Sequence, residues 1–307
     1  CIRDSWNTVL VEEVGDSNIH QPLLALDQQG QPHIIYKKET LKYVYKDNAG
    51  WNFLDLPASG SDVLSFVLDE MDHAHITYYE NPSQTDEIEN GDSTYYEFGS
   101  LIYAVYDTFR WHTISVAECL WIGGPFPGLT CHGGALALDS QGYPHIAFLR
   151  SQTIEYAHQD SSGWHNLSLG FAFDASRAFL KLDEHDFPHI GYQQNQAIKY
   201  AYQDSQGWHP ETAAEHGELL SLVLDSDGHP HILYKITDDD NYYCELRYTY
   251  RNASGWLVEQ VNFNSCSATL TLDKQDNPRL SYAELGDLFY AYTLAGLEVI
   301  FIPLIYK

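Results

Sequence analysis

One histidine recurs in each of five similar segments of this chain, and histidine is a side chain that binds metals and transfers protons. These residues are His33, His75, His145, His189 and His231. A ring of imidazoles could ligate a metal ion, but Arg279 occupies the sixth equivalent position and breaks such a ring. Because a buried imidazole needs a hydrogen-bond partner, we predict that these histidines are structural and pair with a turn aspartate of their own segment.

A second candidate for chemistry is the stretch Asp225-Ser-Asp-Gly228, which has the beginning of a calcium-binding loop. Asp225 and Asp227 are therefore candidate Ca²⁺ ligands, although the later carboxylates of such a loop are missing. The acidic segment 80–98 is a comparable candidate, and we expect it to be a surface loop, where function often resides. No other cofactor and no catalytic residue is indicated.

These residues lie within a repeat. The aspartate of its first turn falls at 27, 69, 139, 183, 225 and 273, with spacings of 42, 70, 44, 42 and 48 residues. Each unit reads Leu-x-Leu-Asp, a turn, Pro-His-Ile-x-Tyr, then Leu/Ile-x-Tyr-x-Tyr, and a second turn ending in Gly-Trp. Short alternating strands with a period of about 40–45 residues are typical of β-propeller blades. The sequence predicts an all-β chain: a single six-bladed β-propeller of four-stranded antiparallel blades.

The predicted blades share one domain covering residues 1–307. They lie near 24–56, 64–116, 135–168, 179–213, 220–261 and 268–292. The strand side chains alternate in period two, with bulky residues on one face and small residues on the other. We therefore assign most of the tyrosines and tryptophans to packing between blades.

The two ends of the chain supply one strand more than six blades need. Residues 6–14 resemble the last strand of a blade, and we expect them to complete the final blade. Residues 297–303 then form a surplus apolar strand, whose candidate assembly residues are Leu297, Val299, Ile300, Phe301 and Ile302. Such a strand either adds to its own blade or pairs with another molecule, because a free apolar edge is an aggregation hazard.

Charge and cysteine content narrow the possible partners and compartment. The chain has 16 Lys and Arg against 43 Asp and Glu, a net charge of −27, which argues against nucleic acid and anionic membranes. No apolar stretch is long enough to span a membrane. Cys119 with Cys131, and Cys244 with Cys266, are predicted disulfides of an oxidising compartment. Cys1 either carries a lipid, as at the start of a mature bacterial lipoprotein, or is a free thiol.

The repeat Leu-x-Leu-Asp-x-x-Gly-x-Pro-His-Ile-x-Tyr, followed by Tyr-Ala-Tyr-x-Asp-x-x-Gly-Trp, resembles repeats of secreted bacterial six-bladed propellers, mostly of unassigned function. The resemblance covers Leu24 to Tyr292 and implies a fold rather than an activity. In WD-repeat propellers, a repeated His and Asp hydrogen-bond within each blade, and the resemblance implies a similar role here.

Three functions remain open. The leading hypothesis is a non-enzymatic extracellular or cell-surface module that self-associates or binds a surface partner by strand addition. The alternative is a carbohydrate-binding, lectin-like propeller, whose candidate contacts outside the strict repeat are Trp121, Phe126, His112, His165 and His209. A sialidase-like hydrolase is the third, but none of the seven arginines lies in a sialidase motif.

Overall fold

The structure is a computed structural model that describes residues 9–12, 20–59, 63–89, 92–107, 109–123, 131–150, 152–171, 177–237, 244–262, 265–284, 287–292 and 300–303. Within these ranges the regular structure is entirely β, in 24 strands. No helix in them is long and apolar enough to cross a membrane. The predicted all-β class is confirmed.

The strands form six sheets, each of four consecutive antiparallel strands. The chain divides into two compact units, Cys1–Gly124 and Pro125–Lys307. The first unit holds two sheets. Sheet 1 contains β1 (His20–Leu26), β2 (Pro32–Lys37), β3 (Thr40–Asp47) and β4 (Gly50–Ser59). Sheet 2 contains β5 (Val63–Leu68), β6 (Ala74–Glu89), β7 (Asp92–Tyr106) and β8 (Trp111–Gly123).

The second unit holds the other four sheets. Sheet 3 contains β9 (Cys131–Leu138), β10 (Pro144–Arg150), β11 (Thr153–Asp160) and β12 (Gly163–Phe171). Sheet 4 contains β13 (Ala178–Leu182), β14 (Pro188–Gln194), β15 (Ala197–Asp204) and β16 (Gly207–Ala214). Sheet 5 contains β17 (Glu218–Leu224), β18 (Pro230–Thr237), β19 (Cys244–Asn252) and β20 (Gly255–Asn262). Sheet 6 contains β21 (Ser267–Leu272), β22 (Pro278–Glu284), β23 (Asp287–Tyr292) and β24 (Ile300–Pro303).

The first turn of each sheet is shaped by the repeated aspartate. In sheet 1, Asp27 Oδ1 accepts the backbone N–H groups of Gln29 and Gln31 at 2.9 and 2.6 Å, and Gly30 has a φ of 75°. The same two bonds recur at the equivalent aspartates of the other five sheets. Asx turns of this kind fix the hairpin register and therefore aim the following histidine into the sheet.

Aromatic side chains pack adjacent sheets together within each unit. The tryptophan that opens a fourth strand lies edge-on against a tyrosine of the preceding sheet: Trp111 on Tyr43, Trp208 on Tyr156 and Trp256 on Tyr200, with centroids 5.2–5.6 Å apart. Small residues leave room on the opposite face, and a Cβ at Gly191 would lie 3.0 Å from Leu219 Cδ2. Edge-to-face contacts add to the burial of apolar area that holds the sheets together.

Two segments differ from the sequence-based expectation. The acidic segment 80–98, predicted as a surface loop, instead extends β6 and β7 as a hairpin that pairs as far as Glu89 and Asp92. Its Thr94, Tyr95 and Tyr96 are residue types that favour strands, and the many carboxylates elsewhere in the segment obscured this preference.

The fourth strand of sheet 6 also differs from expectation. It comes from the C-terminal end, where Ile300–Pro303 pairs with Tyr292–Phe289. Residues 9–12 of the expected closing strand are not in a strand, and the rest of segment 6–14 lies outside the described residues. Ile300, Phe301 and Ile302 therefore belong to a four-stranded sheet of this chain, while Leu297 and Val299 lie outside the described residues.

The two predicted disulfides are confirmed. Cys244 is bonded to Cys266, with their Cα atoms 5.0 Å apart, and Cys119 and Cys131 are both disulfide-bonded. Disulfides persist in oxidising compartments, so these bonds indicate a location outside the cytoplasm. Cys1, the lipidation candidate, lies outside the described residues.

Candidate functional site

Each repeated histidine lies buried in the second strand of its sheet, with 5–7 % of its surface exposed. Its Nδ1 pairs with the hydroxyl of a tyrosine on the adjacent third strand. The distances are 2.6 Å for His33 and Tyr43, 2.6 Å for His75 and Tyr103, and 2.5 Å for His145 and Tyr156. His189 pairs with Tyr200 and His231 with Tyr248 in the same way.

The other ring nitrogen of each histidine faces the turn aspartate. Nε2 lies 3.3 Å from Asp69 Oδ2 in sheet 2 and 3.5–3.7 Å from the equivalent oxygen in sheets 1, 3, 4 and 5. Burial lowers the pKa of all five histidines, although the nearby aspartates oppose this. The neutral imidazole therefore carries its proton on Nε2 and accepts the tyrosine O–H at Nδ1.

This arrangement is the one that the structural interpretation of the histidines requires. The sequence pattern predicts only the aspartate as a partner of the histidine and places the tyrosines in the packing between blades. The pairing follows from the register of the second and third strands. His189 lies opposite Tyr202, and Tyr200 lies opposite Gly191, two residues further along the same face. These histidines connect the second and third strands of their sheets, and for this reason they are poor candidates for catalysis.

Sheet 6 replaces the histidine with an arginine and keeps the same partner. Arg279 Nη2 donates to Asp273 Oδ2, and the guanidinium carbon lies 5.2 Å from the centre of the Tyr292 ring. The backbone N–H groups of Asn277 and Gln275, with Arg279, lower the pKa of Asp273 to about 2. Arg279 thus binds the turn aspartate of sheet 6, which the histidine faces in the other five sheets.

A second set of aspartates links neighbouring sheets at the same turns. Asp72, Asp186 and Asp276 stand where sheets 1, 3 and 5 have glycine, and each has a φ of 60–65°. Asp186 accepts the backbone N–H of Ser140 at 2.8 Å and its hydroxyl at 2.6 Å. Asp276 does the same for Ser226, and Asp72 accepts the N–H of Gln28 at 3.0 Å. The carboxylates bridge sheets 1 and 2, 3 and 4, and 5 and 6.

The histidines proposed as carbohydrate contacts lie at the turn between the third and fourth strands of their sheets. Each pairs with an aspartate five residues earlier: His112 with Asp107 at 2.5 Å, His165 with Asp160 at 3.1 Å, and His209 with Asp204 at 2.9 Å. All three are partly exposed. Trp121 lies in β8, where its backbone alone is described, and Phe126 lies outside the described residues.

The candidate calcium ligands do not converge on a common site. Asp225 Oδ1 accepts the N–H groups of Asp227 and His229 at 3.0 and 2.7 Å, and its Oδ2 faces His229 and His231. Both of its oxygens therefore serve its own turn and sheet. The structure offers no separate donor set around Asp227 among the residues described there.

A cleft of about 270 Å³ lies between sheets 1 and 2 of the first unit. Three tyrosines line it, Tyr43, Tyr45 and Tyr106, together with the imidazole of His33. The rest of the lining comes from the first and third turns of sheet 1 and from the first turn of sheet 2. These residues are Asp27, Gln29, Gln31, Lys46, Asp47, Asn48, Asp72 and His73, together with Met71. In an antiparallel four-stranded sheet the first and third turns lie at the same end, which is why both turns of sheet 1 reach this cleft.

The cleft walls are held in place by ring packing and turn hydrogen bonds, and they are partly exposed. Tyr45 is stacked between neighbours, 5.5 Å from the His33 ring and 5.4 Å from the Tyr43 ring, and Tyr106 packs 5.2 Å from Trp111. Asp47 accepts the N–H groups of Ala49 and Gly50, which fixes the turn that carries Lys46 and Asn48. A rigid aromatic surface beside amide, ammonium and carboxylate groups suits a small ligand with many hydroxyl groups.

Comparison with known proteins identifies a fold. No family model and no curated protein matches this sequence. Virginiamycin B lyase from Staphylococcus aureus is similar in structure, with a TM-score of 0.56 at 11% identity over 95% of this chain and 90% of that one.

Two further solved structures resemble the chain at 11% identity. Puromycin hydrolase has a TM-score of 0.56 over 92% of this chain and 45% of that one, and the Dos1 propeller has a TM-score of 0.55 over 95% and 71%. The names of these three proteins indicate different functions, and structural similarity at 11% identity does not transfer an activity to this chain. The comparisons therefore show a β-propeller fold for this chain, and its function must be inferred from the arrangement of its own residues.

Proposed function

We propose that this protein is an extracellular, non-enzymatic β-propeller that binds carbohydrate in the cleft between sheets 1 and 2. The observation that supports the proposal is the cleft itself, in which Tyr45 and Tyr106 lie beside the side chains of Lys46, Asp47 and Asn48. Sugar rings offer apolar C–H faces for aromatic rings and hydroxyl groups for such polar side chains. The volume of about 270 Å³ lies below the usual range for drug-sized ligands, so one or two sugar rings are the expected occupant.

A binding role fits the cleft better than catalysis because its acid–base groups are already engaged. His33 Nδ1 is bonded to Tyr43, and Asp27 and Asp72 accept backbone N–H groups. Burial lowers the pKa of His33 and raises that of Tyr43, so neither ionises near neutral pH. These groups fix the shape of the cleft, and its exposed turn side chains are left to contact a ligand.

The test is a glycan array with the purified protein, followed by calorimetry with each glycan that binds. Tyr45→Val is the informative variant, because valine stands at the equivalent position of sheet 2 as Val105. Loss of a stacking surface of about 1–2 kcal/mol predicts binding weakened by about 5- to 30-fold. The matched control is Tyr250→Val in sheet 5, where the same repeat position stacks on His231 far along the chain from the cleft.

Two results would count against the proposal. One is that no glycan binds. The other is that Tyr250→Val weakens binding as much as Tyr45→Val, because a general loss of packing rather than a lost contact would then explain both.

Self-association by strand addition also stays a proposal. Ile300–Pro303 pairs with β23 in this chain, so assembly through it requires molecules to exchange this strand or to add to its outer edge. Light scattering of the purified protein tests this directly. Oligomers that become monomers when residues 297–307 are removed would favour assembly, whereas a monomer of 35.0 kDa would exclude it under those conditions.

A further inference from the structure

Three imidazoles lie side by side across sheet 3. His145 on β10 is the cross-strand partner of His158 on β11, which in turn is the partner of His165 on β12. The ring centres are 5.5 Å and 5.0 Å apart along this row. His145 Nδ1 is already bonded to the Tyr156 hydroxyl, which leaves His158 and His165 as the histidines of this row that could bind a ligand.

Asp160 completes a donor set with these two histidines. One ring nitrogen of His158, one of His165 and a carboxylate oxygen of Asp160 all lie within 4.8 Å of one another. Asp160 Oδ1 is 3.1 Å from His165 Nε2, and the Ser162 hydroxyl contacts both residues, at 2.6 and 2.9 Å. Asp160 and His165 are exposed, so an ion can reach the set from solvent.

His158 supplies a second, independent observation. Its Nδ1 is buried and has no hydrogen-bond partner, which is uncommon for a buried polar atom.

The repeat itself shows what is special about sheet 3. The residue equivalent to His158 is tyrosine or valine in the other sheets: Tyr45, Val105, Tyr202, Tyr250 and Tyr292. The Asp–His pair recurs in sheets 2 and 4, as Asp107 with His112 and Asp204 with His209. Of the described residues, only those of sheet 3 combine the pair with a third metal-binding side chain.

We propose that His158, Asp160 and His165 form a binding site for a divalent transition-metal ion such as Zn²⁺, Cu²⁺ or Ni²⁺. Two imidazole nitrogens favour these ions over Ca²⁺ and Mg²⁺, which prefer all-oxygen sites. Three protein ligands leave a coordination position for water or an exogenous group. The net charge of −27 adds a general attraction for cations.

The test uses the intact protein after dialysis against a chelator and then metal-free buffer, titrated with Zn²⁺ alone by calorimetry. His158→Tyr removes one ligand and installs the residue that four other sheets carry at this position, so folding is expected to be retained. His209→Asn is the matched control, because it removes the same Asp–His pair from sheet 4. We expect the wild type and H209N to bind one equivalent, and H158Y to bind it more than about 100-fold more weakly.

A gain-of-site variant makes the test two-sided. Val105→His places an imidazole opposite His112, beside Asp107, and is expected to add a second equivalent. Bound Cu²⁺ should show two nitrogen ligands in its electron paramagnetic resonance spectrum in the wild type and one fewer in H158Y. The proposal is overturned if the wild type binds no Zn²⁺, or if H158Y binds it as tightly as the wild type does.

Discussion

The buried Tyr103 hydroxyl offers the sharpest test of how the sheets are held together. It lies 2.6 Å from His75 Nδ1, while His75 Nε2 lies 3.3 Å from Asp69 Oδ2, so both ring nitrogens are engaged. Tyr103→Phe keeps the ring and its packing but removes the only hydrogen-bond donor described for Nδ1. Because both residues are almost fully buried, water cannot replace the hydroxyl without a rearrangement of the sheet.

The expected cost follows from that burial. A buried polar atom left without a partner costs about 1–3 kcal/mol, more than the net value of the bond itself. For a chain of this length, 1 kcal/mol corresponds to roughly 2 °C in the unfolding midpoint, so Tyr103→Phe should lower it by about 2–6 °C. No cavity term is added, because the substitution removes one oxygen atom and leaves the aromatic ring in place.

Thermal unfolding followed by circular dichroism measures this loss, with Tyr290→Phe as the matched control. Tyr290 occupies the same repeat position in sheet 6, where Arg279 replaces the histidine, and it is 38 % exposed. Its hydroxyl should therefore contribute within about 0.5 kcal/mol of zero. If both variants unfold at the wild-type temperature, the histidine–tyrosine bonds do not stabilise the sheets, and the account of the repeat is wrong.

Three further perturbations follow from the same structure. Burial lowers the pKa of the five strand histidines below the ordinary value of 6.5, so the unfolded chain binds more protons than the folded chain does. The free energy of unfolding, measured by urea unfolding, should therefore fall as the pH drops through 6.5. Asp186→Ala should destabilise more than Asp186→Gly, by about 1 kcal/mol, because both lose the bonds to Ser140 but glycine tolerates the φ of 65°; equal midpoints in urea would contradict this. Replacing Cys244 and Cys266 by serine opens a loop with a sequence separation of 22 and should cost about 3 kcal/mol relative to the oxidised wild type, measured by urea unfolding.

The sheets could be predicted because each repeat contains the residues that determine its own strands and turns. A period-two pattern fixes which face of each strand is buried, and the Asp-x-x-Gly or Asp-x-x-Asp turn fixes the register of the first hairpin. The interpretation of the histidines as structural, rather than as a metal-binding ring, rested on their recurrence in each repeat and on Arg279, which interrupts the series. The pairing of each histidine with a tyrosine needed the register between the second and third strands, which composition alone does not give.

The ends of the chain and the insertions were harder to predict because the repeat does not cover them. The acidic segment 80–98 carries charges that resemble a loop, yet its backbone pairs as a hairpin. Two segments competed for the fourth place in sheet 6, and propensity alone could not rank Ile300–Pro303 above the N-terminal strand.

The candidate sites depend on contacts between neighbours that are distant in sequence. The cleft joins Tyr45 of sheet 1 with Tyr106 of sheet 2, and the inter-sheet bridges join residues 44–50 positions apart. A repeat pattern predicts that equivalent residues take equivalent places, but it does not show which of them leave a space between sheets. His112, His165 and His209, at the turn before the fourth strand, were candidates from the sequence, and their pairing with aspartates became visible only in the structure.

The central claim, that the cleft between sheets 1 and 2 binds carbohydrate, is tested most directly by calorimetry with glycans selected on an array. The account predicts saturable binding of one glycan per chain, weakened about 5- to 30-fold by Tyr45→Val and unchanged by Tyr250→Val. Binding that Tyr45→Val leaves at the wild-type affinity would place the ligand elsewhere on the molecule and contradict the claim.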